Sequence, residues 1–111
     1  MIRELTAGEI TSSALTELSL RGWECWRQNQ IRVPGRNFVG RLGLTDILGF
    51  NRRTGIILLC EVKTINDELS DDQITLLCQV KTAGGMALVA TDDGKGGIKI
   101  IDYQEFHNVD V

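Results

Sequence analysis

The spacing of apolar residues changes period several times along the chain, and each change predicts an element. Ile10, Ala14, Leu15 and Leu18 recur at helical intervals, which predicts an amphipathic helix from about Thr6 to Arg21. Thr6-Ala-Gly-Glu9 has the form of a capping box that would start this helix, and Gly22 ends it. Trp23 to Gln28 alternates as a first strand. Thr45 to Phe50 reads as a second, Asn51 to Gly55 as a turn, and Ile56 to Lys63 as a strongly β-prone third. The short connection makes the last two an antiparallel hairpin. Ser70-Asp-Asp-Gln73 is a second capping-box pattern, opening a helix that carries Ile74, Leu77 and Val80 as far as Gly84-Gly85. Met86 to Ala90 is an apolar strand, Asp92 to Gly97 a glycine-rich turn and Ile98 to Ile101 a last strand, with a short helix in the tail from Asp102. The order α-β-β-β-α-β-β predicts an α/β fold, a mixed central sheet flanked by helices.

Composition narrows the class. A chain of 111 residues makes one domain, residues 1–111, with a modest core. No apolar run approaches the roughly 20 residues needed to span a bilayer, and the first residues lack the apolar centre of a signal peptide. A cytoplasmic setting is expected. Cys25, Cys60 and Cys78 are odd in number and widely spaced, which argues against a disulfide framework or a zinc site. Each sits among apolar neighbours and is expected to be a buried free thiol. The only histidine, His107, has no nucleophile pattern around it, so a Ser/His or Cys/His hydrolase is not indicated.

The net charge of −3 looks wrong for a nucleic-acid binder until it is resolved along the chain. Arg27, Arg32, Arg36, Arg41, Arg52 and Arg53 are opposed between them only by Asp46, so this segment carries five net positive charges and the rest eight net negative. Such asymmetry suggests a local anionic partner, and arginine suits bidentate phosphate contacts. From Asn29 to Gly43 the chain is rich in arginine and glycine and holds the only proline, Pro34. This loop is longer than a structural connection requires. A solvated arginine-rich loop with no ligand is the plainer reading of the same residues.

Strand alternation locates the candidate chemistry. Glu61 and Lys63, two apart, share a face of their strand, while Val62 points to the other. The run Ile56-Ile-Leu-Leu-Cys60 before them suggests a strand that begins deep in a core, and Leu44, Ile47, Leu48 and Phe50 frame Asp46 in the same way. Charges in such places cost desolvation energy unless they are paired or hold a metal. Two carboxylates at the edge of a core suit a divalent cation. On chemistry alone, a metal centre and a structural ion pair of Lys63 with Glu61 or Asp46 stand level.

The pattern Gly43-Leu-Thr-Asp46, fourteen residues, then Glu61-Val-Lys63 resembles the PD-(D/E)xK nuclease core. More closely, the chain resembles the VRR-NUC domain, a virus-type replication-repair nuclease related to archaeal-type Holliday junction resolvases. The matching stretches are Glu9 to Ala14, Gly22 to Asn29, Gly43 to Phe50, Leu59 to Lys63, Leu69 to Gln73 with its helix, and Gly84 to Val89. The resemblance implies a restriction-endonuclease-like core. Asp46, Glu61 and the backbone carbonyl of Val62 would hold Mg²⁺ or Mn²⁺, with Lys63 positioning the attacking water. Glu9 would approach the metal directly or through water, and Gln73 would face the same site. Glu9 and Gln73 are also the fourth residues of their capping boxes, which would explain each without catalysis. Thr45 stands where the family usually has proline, and little loss is expected from the change. The resemblance further implies a homodimer acting on branched DNA such as Holliday junctions or flaps, of a kind found in phages; the six arginines, by their charge and the loop from Arg27 to Arg41, are the candidates for DNA contacts. A non-catalytic DNA-binding or scaffold module on the same fold is the competing reading. A restriction-like enzyme reading a sequence is a third, for which the chain has little room.

Overall fold

The computed structural model describes residues 2–28 and 43–107; Arg32, Arg36 and Arg41 lie outside the described residues. The elements run α1 (Ala7–Leu20), β1 (Trp23–Arg27), β2 (Ile47–Asn51), β3 (Ile57–Lys63), α2 (Asp71–Thr82), β4 (Met86–Asp92), β5 (Ile98–Asp102) and α3 (Tyr103–Phe106). The five strands form one sheet in sequence order. β1, β2 and β3 are antiparallel neighbours, and β5 is antiparallel to β4. β3 and β4 are parallel, with α2 as the crossover between them. The sheet is mixed and flanked by helices, as the order of elements predicts.

Both helix starts follow from local chemistry. Glu9 N–H donates to Thr6 Oγ1 at 3.2 Å, and Thr6 N–H donates to Glu9 Oε1 at 2.9 Å. Ser70 and Gln73 make the same reciprocal pair at 3.2 and 2.8 Å. Each box satisfies donors that the first turn of a helix leaves unpaired. α1 ends where Gly22 takes φ of 100°, a conformation costly to any residue with a Cβ.

The two faces of the sheet bury separate cores. α1 covers one with Ile10, Ala14 and Leu18, packed on Trp23, Ile47, Leu58, Cys60, Val62 and Ala90. α2 and α3 cover the other with Leu76, Leu77 and Tyr103, packed on Leu59, Ala87 and Val89. Each large apolar side chain so buried contributes roughly 1.5–3 kcal/mol. Alternation along β3 therefore sends Leu58, Cys60 and Val62 toward α1, and sets Glu61 and Lys63 on the α2 side with Leu59.

Three expectations are corrected. β3 does not begin deep in a core, because Ile56 and Ile57 are 42% and 53% exposed and full burial starts at Leu58. β4 runs two residues past Ala90, since Thr91 and Asp92 pair with Lys99 and Ile98 before the chain turns. Cys60 is buried as expected, but Cys25 is half-buried and Cys78 exposed on α2. Among the described residues no helix is long and apolar enough to cross a membrane.

Candidate active site

The β2–β3 register pairs Ile47 with Cys60, so one further step sets Asp46 opposite Glu61. The ladder stops there for a visible reason. Asp46 still pairs with the first strand, its carbonyl accepting the Gln28 N–H at 2.7 Å. On the other side its carboxylate replaces the backbone: Asp46 Oδ2 accepts the Val62 N–H at 2.9 Å. β2 accordingly begins at Ile47 rather than Thr45. Thr45, the residue before, is buried with its hydroxyl donating to Ile47 O at 3.0 Å. Where the related pattern has proline, threonine thus bends the chain by an internal hydrogen bond.

Glu61 is 4% exposed. Its Oε1 accepts the Gln73 Nε2–H at 3.0 Å, while Oε2 is sealed from solvent and is the one buried side-chain polar atom without a hydrogen-bond partner among the described residues. Burial, the adjacent Asp46 oxygen and the Asp46 charge push the Glu61 carboxyl up to about 9, against a smaller pull downward from Lys63. A buried acceptor with no donor is costly, and two carboxylates this close cannot both ionise without a cation between them. Lys63 does not supply that cation's place, since none of the ion pairs among the described residues includes it. The structural ion pair that competes with a metal centre is therefore not formed. Cys60, on the opposite face, remains a thiol, because burial and the two nearby carboxylates raise its pKa.

These residues fit a divalent ion. Asp46 and Glu61 offer oxygen ligands, one of them orphaned. Among the described residues no third histidine, cysteine, aspartate or glutamate joins them. Mg²⁺ is commonly held by one or two carboxylates, with waters and phosphate oxygens completing its shell. Gly43 ties the two supports together. It takes φ of 78°, and a Cβ there would lie 2.3 Å from Asp72 O and 3.0 Å from Gln73 N. The chain leading to Asp46 thus rests directly on the first turn of α2. Sequence reasoning takes Gly43 as the end of a loop and the start of the Gly43-Leu-Thr-Asp46 pattern, without the contact to α2.

The structure brings Asp46, Glu61 and Gln73 together, with Lys63 beside them on the same face. It does not bring Glu9 to them. α1 lies on the opposite face of the sheet, and both Glu9 oxygens are engaged by Arg3, at 2.8 and 2.7 Å, and by the Thr6 N–H. Those donors hold the Glu9 carboxyl down at about 2. Arg27 ends β1 opposite Ile47, whose side chain lies in the core under α1, so Arg27 too is on the α1 face of the sheet and not on that of Glu61. Arg52 and Arg53 instead follow β2, at the far end of the hairpin from Asp46. Arg52 is committed there, its guanidinium donating to Ser19 O, Ser19 Oγ and Glu24 Oε1.

A solved structure and a family model resemble the chain, although no curated protein matches it. The fold is similar to the 1.6 Å resolution structure of Hjc, a Holliday junction resolvase from the archaeal hyperthermophile Archaeoglobus fulgidus. The TM-score is 0.58 and the identity 24%, covering 93% of this chain and 82% of that one. The model of the VRR-NUC domain matches residues 13–92, a stretch that contains Asp46, Glu61, Lys63 and Gln73. With most of its length in that match, the chain belongs to the VRR-NUC domain family of nucleases.

Proposed function

We propose that this protein is a divalent-metal-dependent endonuclease that hydrolyses phosphodiester bonds in branched DNA. The observation that carries the reading is the pair of buried Glu61 and half-buried Asp46, facing across the end of the β2–β3 ladder with an orphaned oxygen and no lysine in ion-pair contact. Asp46 and Glu61, with the Val62 carbonyl, would hold Mg²⁺ or Mn²⁺, which when bound offsets charge on a phosphate and lowers the pKa of water. Asp46 is fixed by the Val62 N–H and Glu61 by the Gln73 amide, so both carboxylates are aimed before substrate arrives. Lys63 forms none of the ion pairs among the described residues, although its charge acts on Glu61 and Asp67. It is thus available to orient an attacking water and to stabilise charge developing on the phosphate. Arg27, exposed at the end of β1 on the other face of the sheet, would contact the DNA backbone away from the metal, where phosphate contacts position without reading sequence. Hjc, by its description, is a Holliday junction resolvase, and that likeness favours branched over plain duplex substrates.

A homodimer fits the same reading. Trp26 and Phe50 meet edge-on with ring centroids 6.5 Å apart, and Phe50 pairs across the hairpin with Ile57. The three are 46%, 39% and 53% exposed on a stretch of sheet that α2 leaves open. A contiguous apolar face of this kind marks an association surface, and two copies would present two sites to paired strands.

The test is a panel of labelled four-way junction, flap, duplex and single strand with Mg²⁺ or Mn²⁺, run beside measurement of particle mass. Cleavage of the branched substrates that disappears in Asp46→Asn and Glu61→Gln supports the enzyme. Tight junction binding with no products under either metal would make the chain a binding module instead.

A further inference from the structure

Beside the carboxylate pair, at the C-terminal ends of the parallel strands β3 and β4, lies a cavity of about 230 Å³ that the chemistry above does not use. Crevices at the carboxyl ends of such strands are where α/β sheets bind ligands. The cavity is placed by the site itself: Lys63 pairs with Thr91, and Thr91 is in its wall. Two residues of strand, roughly 6–7 Å, separate Glu61 from this level.

The groups in the wall are of mixed kinds and largely uncommitted. Thr91 is 5% exposed, yet its hydroxyl has no hydrogen-bond partner among the described residues. It is not one of the sealed polar atoms either, since Glu61 Oε2 alone has that status among the described residues. The hydroxyl therefore opens on the cavity. Asn66 takes φ of 73°, rare for a residue with a Cβ, and its amide is likewise unpartnered among the described residues. Lys99 and Glu105 add a donor and an acceptor, each outside any ion pair among the described residues. Ile65 and Phe106 supply an apolar side.

This set selects among ligands. The Glu105 carboxylate in the wall offsets the single Lys99 ammonium, and the Asp92 carboxylate is taken by the Leu5 and Gly94 N–H groups, so the wall has no net positive charge to hold a phosphate. Hydrogen-bonding groups of both senses next to a flat apolar surface suit the edge and face of a heterocycle. The volume, below the roughly 300–1,000 Å³ of drug-sized pockets, holds one ring system.

We propose that this cavity receives a single unpaired nucleobase, one or two nucleotides from the scissile phosphate, reading its edge through Thr91 and Asn66 and its face through Phe106 and Ile65. The inference rests on the nuclease reading above and deepens it: the site recognises a branch by the unstacked base that a branch makes available. A base already unpaired enters without the few kcal/mol that extrusion from a duplex costs.

The experiment uses four-way junctions carrying 2-aminopurine at successive positions around the branch point, bound with Ca²⁺ in place of Mg²⁺. We expect one or two positions to change fluorescence on binding wild-type protein, and that change to be lost with Asn66→Gly, which keeps the φ, and with Thr91→Val. With Mg²⁺ and an abasic residue at the same position, wild-type cleavage should fall about tenfold, 1.4 kcal/mol, and the two variants should no longer differ from wild type. No fluorescence change at any position, or a change that both variants retain, overturns the proposal. Cleavage of the unmodified junction by wild-type protein is scored separately, so loss of the nuclease reading leaves the fluorescence result to decide the cavity.

Discussion

Gln73 hydrogen-bonds Glu61, its Nε2 donating to Oε1 at 3.0 Å, while its own Oε1 accepts the Ser70 N–H at 2.8 Å. One amide thus closes the capping box of α2 and orients a carboxylate of the site. Capping and contact with Glu61, which compete as explanations when only the sequence is read, are two ends of the same side chain. A glutamate at this position would close the box equally well but could not donate to Glu61.

Gln73→Glu separates the two roles. The cap survives, since glutamate is an ordinary third-position partner in a capping box. The donor to Glu61 is lost and a third carboxylate arrives. We expect a melting temperature close to wild type and cleavage reduced about 10- to 100-fold, the usual cost of disturbing a group that orients a metal ligand. Ser70→Ala should do the reverse, costing about 1 kcal/mol of stability with a much smaller effect on cleavage. Thermal melts and single-turnover rates on one branched substrate measure both. Equal rates for Gln73→Glu and wild type would remove Gln73 from the site.

The second prediction concerns the pair itself. Glu61→Gln keeps the shape and an oxygen for the Gln73 amide, but removes the need to hold a buried acid beside Asp46. The metal-free variant should melt higher than metal-free wild type at pH 8, while losing both cleavage and the stabilisation that Mg²⁺ or Mn²⁺ gives wild type. Asp46→Asn keeps an acceptor for the Val62 N–H and should fold; Asp46→Ala leaves that N–H unpaired and should be less stable by about 1–3 kcal/mol. A Glu61→Gln protein that melts lower than wild type at pH 8 would mean that the carboxylates do not repel.

The sign of the pH dependence follows from the same residue. The folded-state pKa of Glu61, about 9, lies above its ordinary value of 4.5. The favourable contribution of the protonated group is therefore complete below about pH 4.5 and is lost as pH rises toward 9. Metal-free protein should become less stable across this window, at no more than about 1.4 kcal/mol per pH unit. Glu9 and Asp92, whose carboxyls lie below their ordinary values, act only under more acid conditions. Saturating Mn²⁺ should flatten the slope, because the cation takes the place of the proton, and apparent metal affinity should rise with pH. Chemical denaturation at pH 5, 7 and 9, with and without Mn²⁺, tests this; a flat metal-free series would contradict it.

What the sequence revealed divides along a physical line. Period-2 and period-3.6 patterns and the two capping boxes are local, and they place α1, α2 and all five strands to within about two residues. The shared face of Glu61 and Lys63 is local too. What the sequence does not show is tertiary placement. Glu9 sits three residues into α1, but which face of the sheet α1 covers is set by the packing of Ile10, Ala14 and Leu18, and that face is opposite Glu61. Ile56 and Ile57 look like core because they are apolar, whereas at the hairpin end only the last turn of α2 comes near, across an open cavity, and both stay exposed. Arg52 is near Asp46 in sequence and belongs to the same positive segment. It is carried away by the direction of β2, a consequence of the hairpin that the sequence already implied.

The contact between Gly43 and α2 gives the last prediction. With Asp72 O only 2.3 Å from where a Cβ would stand, and with φ at 78°, Gly43→Ala must either push α2 away or move the chain that leads to Asp46. Either movement changes where Gln73 meets Glu61. A loss of cleavage alone would not distinguish this from general damage, so the informative measurement is a double-mutant cycle. If Gly43 acts by setting Gln73, then Gly43→Ala should reduce cleavage about tenfold in wild type and have little further effect once Gln73 is alanine. Gly49→Ala is the control: its Cβ would press on Glu24 O at 2.4 Å, away from α2. That substitution should lower stability as well, with effects on cleavage that add to those of Gln73→Ala. Additive behaviour at Gly43 would reduce its role to folding; coupling of about 1 kcal/mol or more would make the loop before Asp46 and the first turn of α2 a single support for the two carboxylates.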